Sequence, residues 1–166
     1  QSLYIVCEKM QKPSNTLLRI KTRYLRALKY QNNDPEVALN ECRKTAEAVL
    51  KELYSNYAGL NPKNQHFQKP AEKQMLNNLA SALEKVERYP LVIASSIRTI
   101  QAFGNIGSHD QGLESEELTN DNIQVCMVAL KNLVEWYWKD LKLDMEHLVL
   151  GLIETNDITI NDSSFD

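Results

Sequence analysis

Apolar residues recur at every third or fourth position through most of the chain, and this pattern constrains the fold class before any motif is read. The clearest run is Ala38, Cys42, Ala46, Val49, Leu53 and Tyr57, the stripe of an amphipathic helix that turns one face to a core. It opens on Asn32-Asn33-Asp34-Pro35, where Asp34 can cap and Pro35 can occupy the first helical position, since a missing N–H matters least there. Gly59 is its expected end. The same period returns in Leu76, Leu79, Leu83 and Val86, in Ile93, Ile97 and Ile100, and in Ile123, Cys126, Met127, Leu130, Leu133, Val134 and Tyr137. No strand-helix-strand series and no internal repeat accompany these stripes. The expected architecture is therefore all-α, a helical bundle of five to six helices.

Punctuation sets the expected boundaries. Residues 2 to 11 form a short amphipathic piece ended by Pro13, and Ser14 or Asn15 caps a helix from about 15 to 31 that carries Leu18, Leu25 and Leu28. The polar, aperiodic stretch from Leu60 to Lys69 is a loop, and its His66 has no second ligand at metal spacing. Pro70 restarts a helix that closes at Tyr89-Pro90, with Pro90 marking the bend into the next. After the acidic connection Asp110 to Leu118, Thr119 caps a long helix from about 120 to 141. Val125, Val128, Trp136 and Trp138 add apolar surface outside its main seam. Such a helix is central in its bundle or partly covered by a second subunit, which makes Val128, Trp136 and Trp138 interface candidates. Leu143 to Ile153 suggests one more short helix, and Thr155 to Asp166 a short strand or a disordered end. Residues 1–33 thus read as N-terminal basic helices, 34–153 as the bundle core and 154–166 as a tail, together one domain.

A chain of 166 residues can bury about 70% of the surface it exposes when unfolded, so no disulfide or metal staple is required. Hydrophobic residues at 43% and charged residues at 25% exclude collagen-like, disordered and membrane classes, and no apolar run approaches bilayer length. The start at Gln1, without methionine or a signal pattern, suggests a piece of a longer protein. Three cysteines, Cys7, Cys42 and Cys126, form no Cys-x-x-Cys pair and fit a reducing cytoplasm. Cys42 and Cys126 lie within apolar stripes and are expected as small buried hydrophobes.

Charge is uneven although the net value is −3. Residues 1 to 30 hold seven Lys/Arg against Glu8, or +6, which leaves −9 for the remainder. Arg19, Lys21, Arg23, Arg26 and Lys29 are nucleic-acid candidates, because a basic helical face can meet phosphates. The same face can pack against the acidic remainder of its own chain or of a partner. No aromatic or glycine-rich nucleic-acid motif accompanies it, which favours packing.

The chain carries no phosphate-binding Gly-x-x-x-x-Gly-Lys, nucleophile elbow, His-Glu-x-x-His or cysteine-based zinc pattern, and no cofactor is implied. Glu146-His147 resembles half a metal motif whose partner is missing. What remains is Ile97 to Asp110, reading IRTIQAFGNIGSHD, where an apolar helical pattern runs into Gly104, Asn105, Gly107 and His109. If this stretch stays helical, Asn105 and His109 share a face four residues apart. The two glycines allow close approach of another backbone or a ligand. Arg98, Asn105 and His109 are the residue types of metal-independent RNA cleavage: a histidine as general base or acid, an arginine against developing charge, and an asparagine orienting the imidazole. The alternative is a packing joint, with Asn105 and His109 satisfying backbone groups at a helix end and Arg98 pairing with a carboxylate.

The segment Ala38 to Tyr54, the later Ile-Arg followed by Gly104, Asn105 and His109, the acidic spacer and the closing Leu-Val-Glu-Trp-Tyr-Trp together resemble the "domain of unknown function 4145" family over roughly residues 34 to 141. That family looks like a branch of the higher eukaryote and prokaryote nucleotide-binding (HEPN) superfamily, whose helical bundles commonly dimerise. Its catalytic branch carries Arg, usually a polar residue next, then His after four to six intervening residues. With His109 on that histidine, Gly104 stands at the arginine position and Asn105 on the polar neighbour, while Arg98 lies six residues earlier, about 9 Å along a helix axis. The resemblance therefore implies a noncatalytic dimerisation or regulatory module of a larger bacterial defence-type or nucleic-acid-processing protein. The partners it implies are a second copy and the parent's other domains. A ribonuclease using His109, and a nucleic-acid-binding module using the basic 9–29 face, are the alternatives.

Overall fold

The computed structural model describes residues 15–108 and 120–143. They form five α-helices: α1 (Asn15–Tyr30), α2 (Pro35–Leu60), α3 (Leu76–Lys85), α4 (Leu91–Ser108) and α5 (Asn120–Asp140), with one 3-10 turn, Ala71–Lys73, between α2 and α3. The described residues contain no strand, and the all-α bundle is the architecture. The pieces expected at 2 to 11, at 143 to 153 and in the 154–166 tail fall almost entirely outside the described residues, as do His109 and the 110–118 connection.

The centre is α2, which packs against α1, α3, α4 and α5. Its start follows from local chemistry: Asp34 Oδ1 accepts from the Val37 amide at 3.3 Å, and Pro35 occupies the first turn. The stripe read from sequence is joined by Leu39, Leu50 and Tyr54, so the buried face is wide enough to meet several neighbours. The helix runs one residue past Gly59, to Leu60, where the Asn61 amide and side chain both reach the Tyr57 carbonyl.

On α1 the expected stripe needs correction. Ile20, Tyr24 and Ala27 are buried, while Leu18 is 57% exposed. The 20-24-27 spacing is itself helical, and it selects the face against α2, leaving Leu25 and Leu28 at its flank. These three residues belong to the same core as α2 to α5, so α1 is part of that bundle.

The loop after α2 is pinned by Phe67, whose ring centroid lies 4.6 Å from Tyr54 and 4.5 Å from Tyr57. The Tyr54 hydroxyl donates to the Lys69 carbonyl at 2.8 Å. Pro70 does not restart a continuous helix: after the single 3-10 turn, Gln74 and Met75 are extended. The Gln74 side-chain Nε2 donates to the Lys69 carbonyl at 3.0 Å, which ties off that turn.

Two helices stop on left-handed residues that are not glycine, Glu87 at φ 51° and Lys142 at φ 56°. At the first, Arg88 N–H returns to Leu83 O and Glu87 N–H to Glu84 O; at the second, Leu143 N–H returns to Trp138 O and Lys142 N–H to Lys139 O. This pairing satisfies carbonyls that a helix end leaves open. Pro90 then starts the turn into α4, its carbonyl accepting from Ile93 and Ala94.

Candidate functional site

The α4 helix continues through Ser108, so the residues from Gly104 to Ser108 extend its backbone and do not form an open loop. Gly104 is buried, and the reason lies on α2. A Cβ built at Gly104 would meet Arg43 Cδ at 3.0 Å, Cγ at 3.2 Å and Cβ at 3.3 Å. The Arg43 stem therefore lies across the missing side chain. The absence of a Cβ at Gly104 is what permits this close approach.

The basic residues of α1 divide into two sets. Glu41, only 5% exposed, draws Arg23 Nη1 to 3.3 Å and Arg26 Nε to 3.7 Å, so two of the five candidates pack against an acidic group of their own chain. Lys29 Nζ lies 5.1 Å from the centroid of the Tyr30 ring, within cation–π range. Arg19 is exposed and Lys21 half-exposed, neither with an acidic partner among the described residues.

Between α1, α2 and the 3-10 turn runs an open groove of about 460 Å³. Arg19 and Arg23 enter it from α1, and Arg43 and Lys44 from α2. Sequence reasoning missed the last pair. The available signal was an Arg-Lys step on the polar flank of the central stripe, and only packing brings it opposite α1.

Arg98 does not meet this groove's lining. It projects from α4 into solvent, 70% exposed, with Nη2 2.9 Å from Glu84 Oε2 on α3. The Glu84 carboxylate holds the guanidinium pKa above its ordinary value. Asn105 and Gly107 lie on the α4 backbone, and His109 falls beyond the described residues.

The interface candidates separate as well. Trp138 is 4% exposed, so it is a core residue and not a surface one. It follows Leu130 and Val134 at intervals of four, which brings it onto the buried seam of α5. Trp136 is half-buried, edge-on to Tyr89 at 6.2 Å and beneath the Arg88 guanidinium at 5.8 Å. Val128 is 56% exposed. Leu91, 87% exposed, and Val92, 65% exposed, add apolar surface that the stripes did not single out. Leu91, Tyr89, Pro90, Ala94 and Trp136 line a second groove of about 680 Å³, rimmed by Glu84, Arg88, Arg98 and Asp140.

Cys42 and Cys126 are buried, as their stripes implied, and they meet. Cys42 Sγ donates to Met127 Sδ at 3.5 Å, and its contact with Cys126 together with burial pushes the Cys42 pKa up. Such a thiol stays protonated and unreactive. His66 is half-buried, its amide bound by Asn64 Oδ1 at 2.9 Å. Among the described residues no group of three His, Cys, Asp or Glu side chains could hold a metal ion, and no helix is long and apolar enough to cross a membrane.

No family model, no curated protein and no solved structure matches this chain.

Proposed function

We propose that this chain is a noncatalytic helical module for self-association, acting within a larger bacterial protein of the defence or nucleic-acid-processing kind that its resemblance to the "domain of unknown function 4145" family and the HEPN superfamily suggests. The observation that carries the association is the exposure of Leu91 in one groove with the half-buried Trp136, where an apolar floor is rimmed by charges of both signs. Isolated apolar side chains are ordinary on a surface; a concave group with a polar rim is the layout of an association face. Both signs on the rim also allow a second copy to approach without net repulsion.

Two contacts support the noncatalytic part. Arg98 is engaged by Glu84 on the exposed side of α4, and the Gly104 position is filled by the Arg43 stem. Neither arrangement supplies an arginine free to act beside position 109 from within α4.

Sedimentation at high micromolar concentration tests the association: a dimer is expected, and a monomer overturns it. Incubation with RNA in EDTA tests the absence of catalysis. Cleavage that disappears in His109→Ala would replace this reading with a ribonuclease.

A further inference from the structure

Among the described residues, one group of cations has no acidic partner. Arg23 and Arg26 close on Glu41, Lys51 on Glu47 at 2.9 Å, Arg88 on Asp140 at 2.7 Å and Arg98 on Glu84. Arg19, Arg43 and Lys44 have no acidic partner among the described residues, and all three line the groove between α1 and α2. In a chain of net charge −3, three cations without an acidic partner among the described residues share one concavity, where low-dielectric walls focus positive potential.

Three acidic groups also line the groove, and Glu47 is the nearest of them to Arg43, one helical turn on. Glu47 is tied to Lys51. Glu52 lies eight residues beyond Lys44 on α2, about 12 Å along the axis, and Glu72 sits on the 3-10 turn. The end holding Arg19, Arg43 and Lys44 is thus cationic, with the Thr16 hydroxyl nearby as a neutral donor. Gly104 leaves room for the Arg43 stem. The glycine that opens the Gly-Asn-Ile-Gly-Ser-His segment thereby accommodates an arginine of another helix.

We propose that this groove binds the phosphate backbone of single-stranded nucleic acid, with Arg19, Arg43 and Lys44 as its contacts. Donors converge from two helices, which suits a tetrahedral oxyanion better than the planar carboxylate of an acidic peptide, and guanidinium forks bind phosphate oxygens in pairs. The groove has one wall from α1 and one from α2, and the flexible backbone of a single strand can bend between them. Among the described residues no aromatic side chain lines it, so the contacts are to phosphate and sequence is not read. The site is separate from the Leu91 and Trp136 face and does not depend on self-association.

Fluorescence anisotropy with a labelled oligothymidylate or oligouridylate of twelve nucleotides tests it on the full chain at 50 mM salt. Weak binding is expected, and three phosphate contacts predict a log–log salt slope of about −2. Arg43→Glu and Arg19→Glu should each weaken binding about tenfold or more, while Lys139→Glu, the same charge change on α5, should not. Gly104→Ala, which alters no charge, should weaken it about two- to threefold by displacing Arg43, with circular dichroism verifying the fold of every variant. Absence of binding, a flat salt response, equal loss in Lys139→Glu, or equal competition by polyglutamate would each overturn the proposal.

Discussion

Glu41 and Arg23 meet at 3.3 Å across the α1–α2 interface, and the carboxylate is the more deeply buried partner. Arg26 approaches the same group from the next turn. Removing the acid leaves two guanidinium groups facing each other, whereas removing one arginine leaves Glu41 the other. Loss of a partner from a fully buried pair costs about 3–5 kcal/mol. The arginine side chains here are 34% and 26% exposed and can turn to water. Glu41→Ala is therefore expected to cost about 2 kcal/mol, with a smaller loss for Arg23→Ala, read from urea unfolding. Equal stability of Glu41→Ala and the parent would show that the cluster contributes nothing net.

Gly104 gives a steric prediction. Alanine there gains about 1 kcal/mol of helix propensity but brings a methyl group to 3.0 Å from Arg43 Cδ, tighter than ordinary van der Waals contact. The obstructing atoms belong to a flexible stem that can shift by tenths of an ångström, so Gly104→Ala should be near neutral, within about 0.5 kcal/mol. Leucine cannot be accommodated that way, and Gly104→Leu should cost about 1–3 kcal/mol. In the double variant with Arg43→Ala much of that loss should return. Additive losses in this cycle would mean that the contact does not govern the site.

What the sequence made legible follows its period. Helical spacing located α2, α4 and α5 because each has a buried stripe and a clear stop or start, as at Asp34-Pro35 and Pro90. It misjudged α1, where Leu18, Leu25 and Leu28 offered one plausible face and Ile20, Tyr24 and Ala27 the buried one. Both faces satisfy the same spacing, and only the presence of α2 decides between them. Trp138 was misassigned for a related reason: it is apolar outside the main run, yet a spacing of four from Val134 returns it to the seam. The groove was not legible, since Arg19 and Arg43 are 24 positions apart in sequence and no motif joins them. Neither was the contact of Cys42 with Met127, which depends on the pairing of α2 with α5.

Glu87 and Lys142 invite a stabilising change. Each ends a helix in the left-handed region, where a Cβ is crowded and glycine is not. The hydrogen bonds that close both ends use only backbone atoms, so they survive the substitution. Glycine also makes the unfolded chain more flexible, which offsets part of the gain. Glu87→Gly and Lys142→Gly are each expected to add about 0.5 kcal/mol, near 1–2 °C in melting temperature for a chain of this size. A lower melting temperature in both would mean that the side chains contribute more than the strain removes.

The tyrosines predict how the fold fails in base. Burial first, and then Glu135, pushes Tyr24 up to about 12, and burial likewise leads the upward shifts of Tyr89 and Tyr137. Unfolded, each ionises near pH 10. Below about pH 10 both states keep these protons, and this contribution to stability is fully present. Between about pH 10 and 12 the unfolded chain loses protons that the folded chain retains, so stability falls as pH rises. The three side chains occupy α1, α5 and the turn into α4, and none can ionise without disturbing the shared core. Phenolate absorbance should therefore show a late cooperative rise that coincides with loss of helical circular dichroism. A single gradual rise near pH 10, with helicity intact, would mean that Tyr24, Tyr89 and Tyr137 ionise in the folded state and that their burial does not set its alkaline limit.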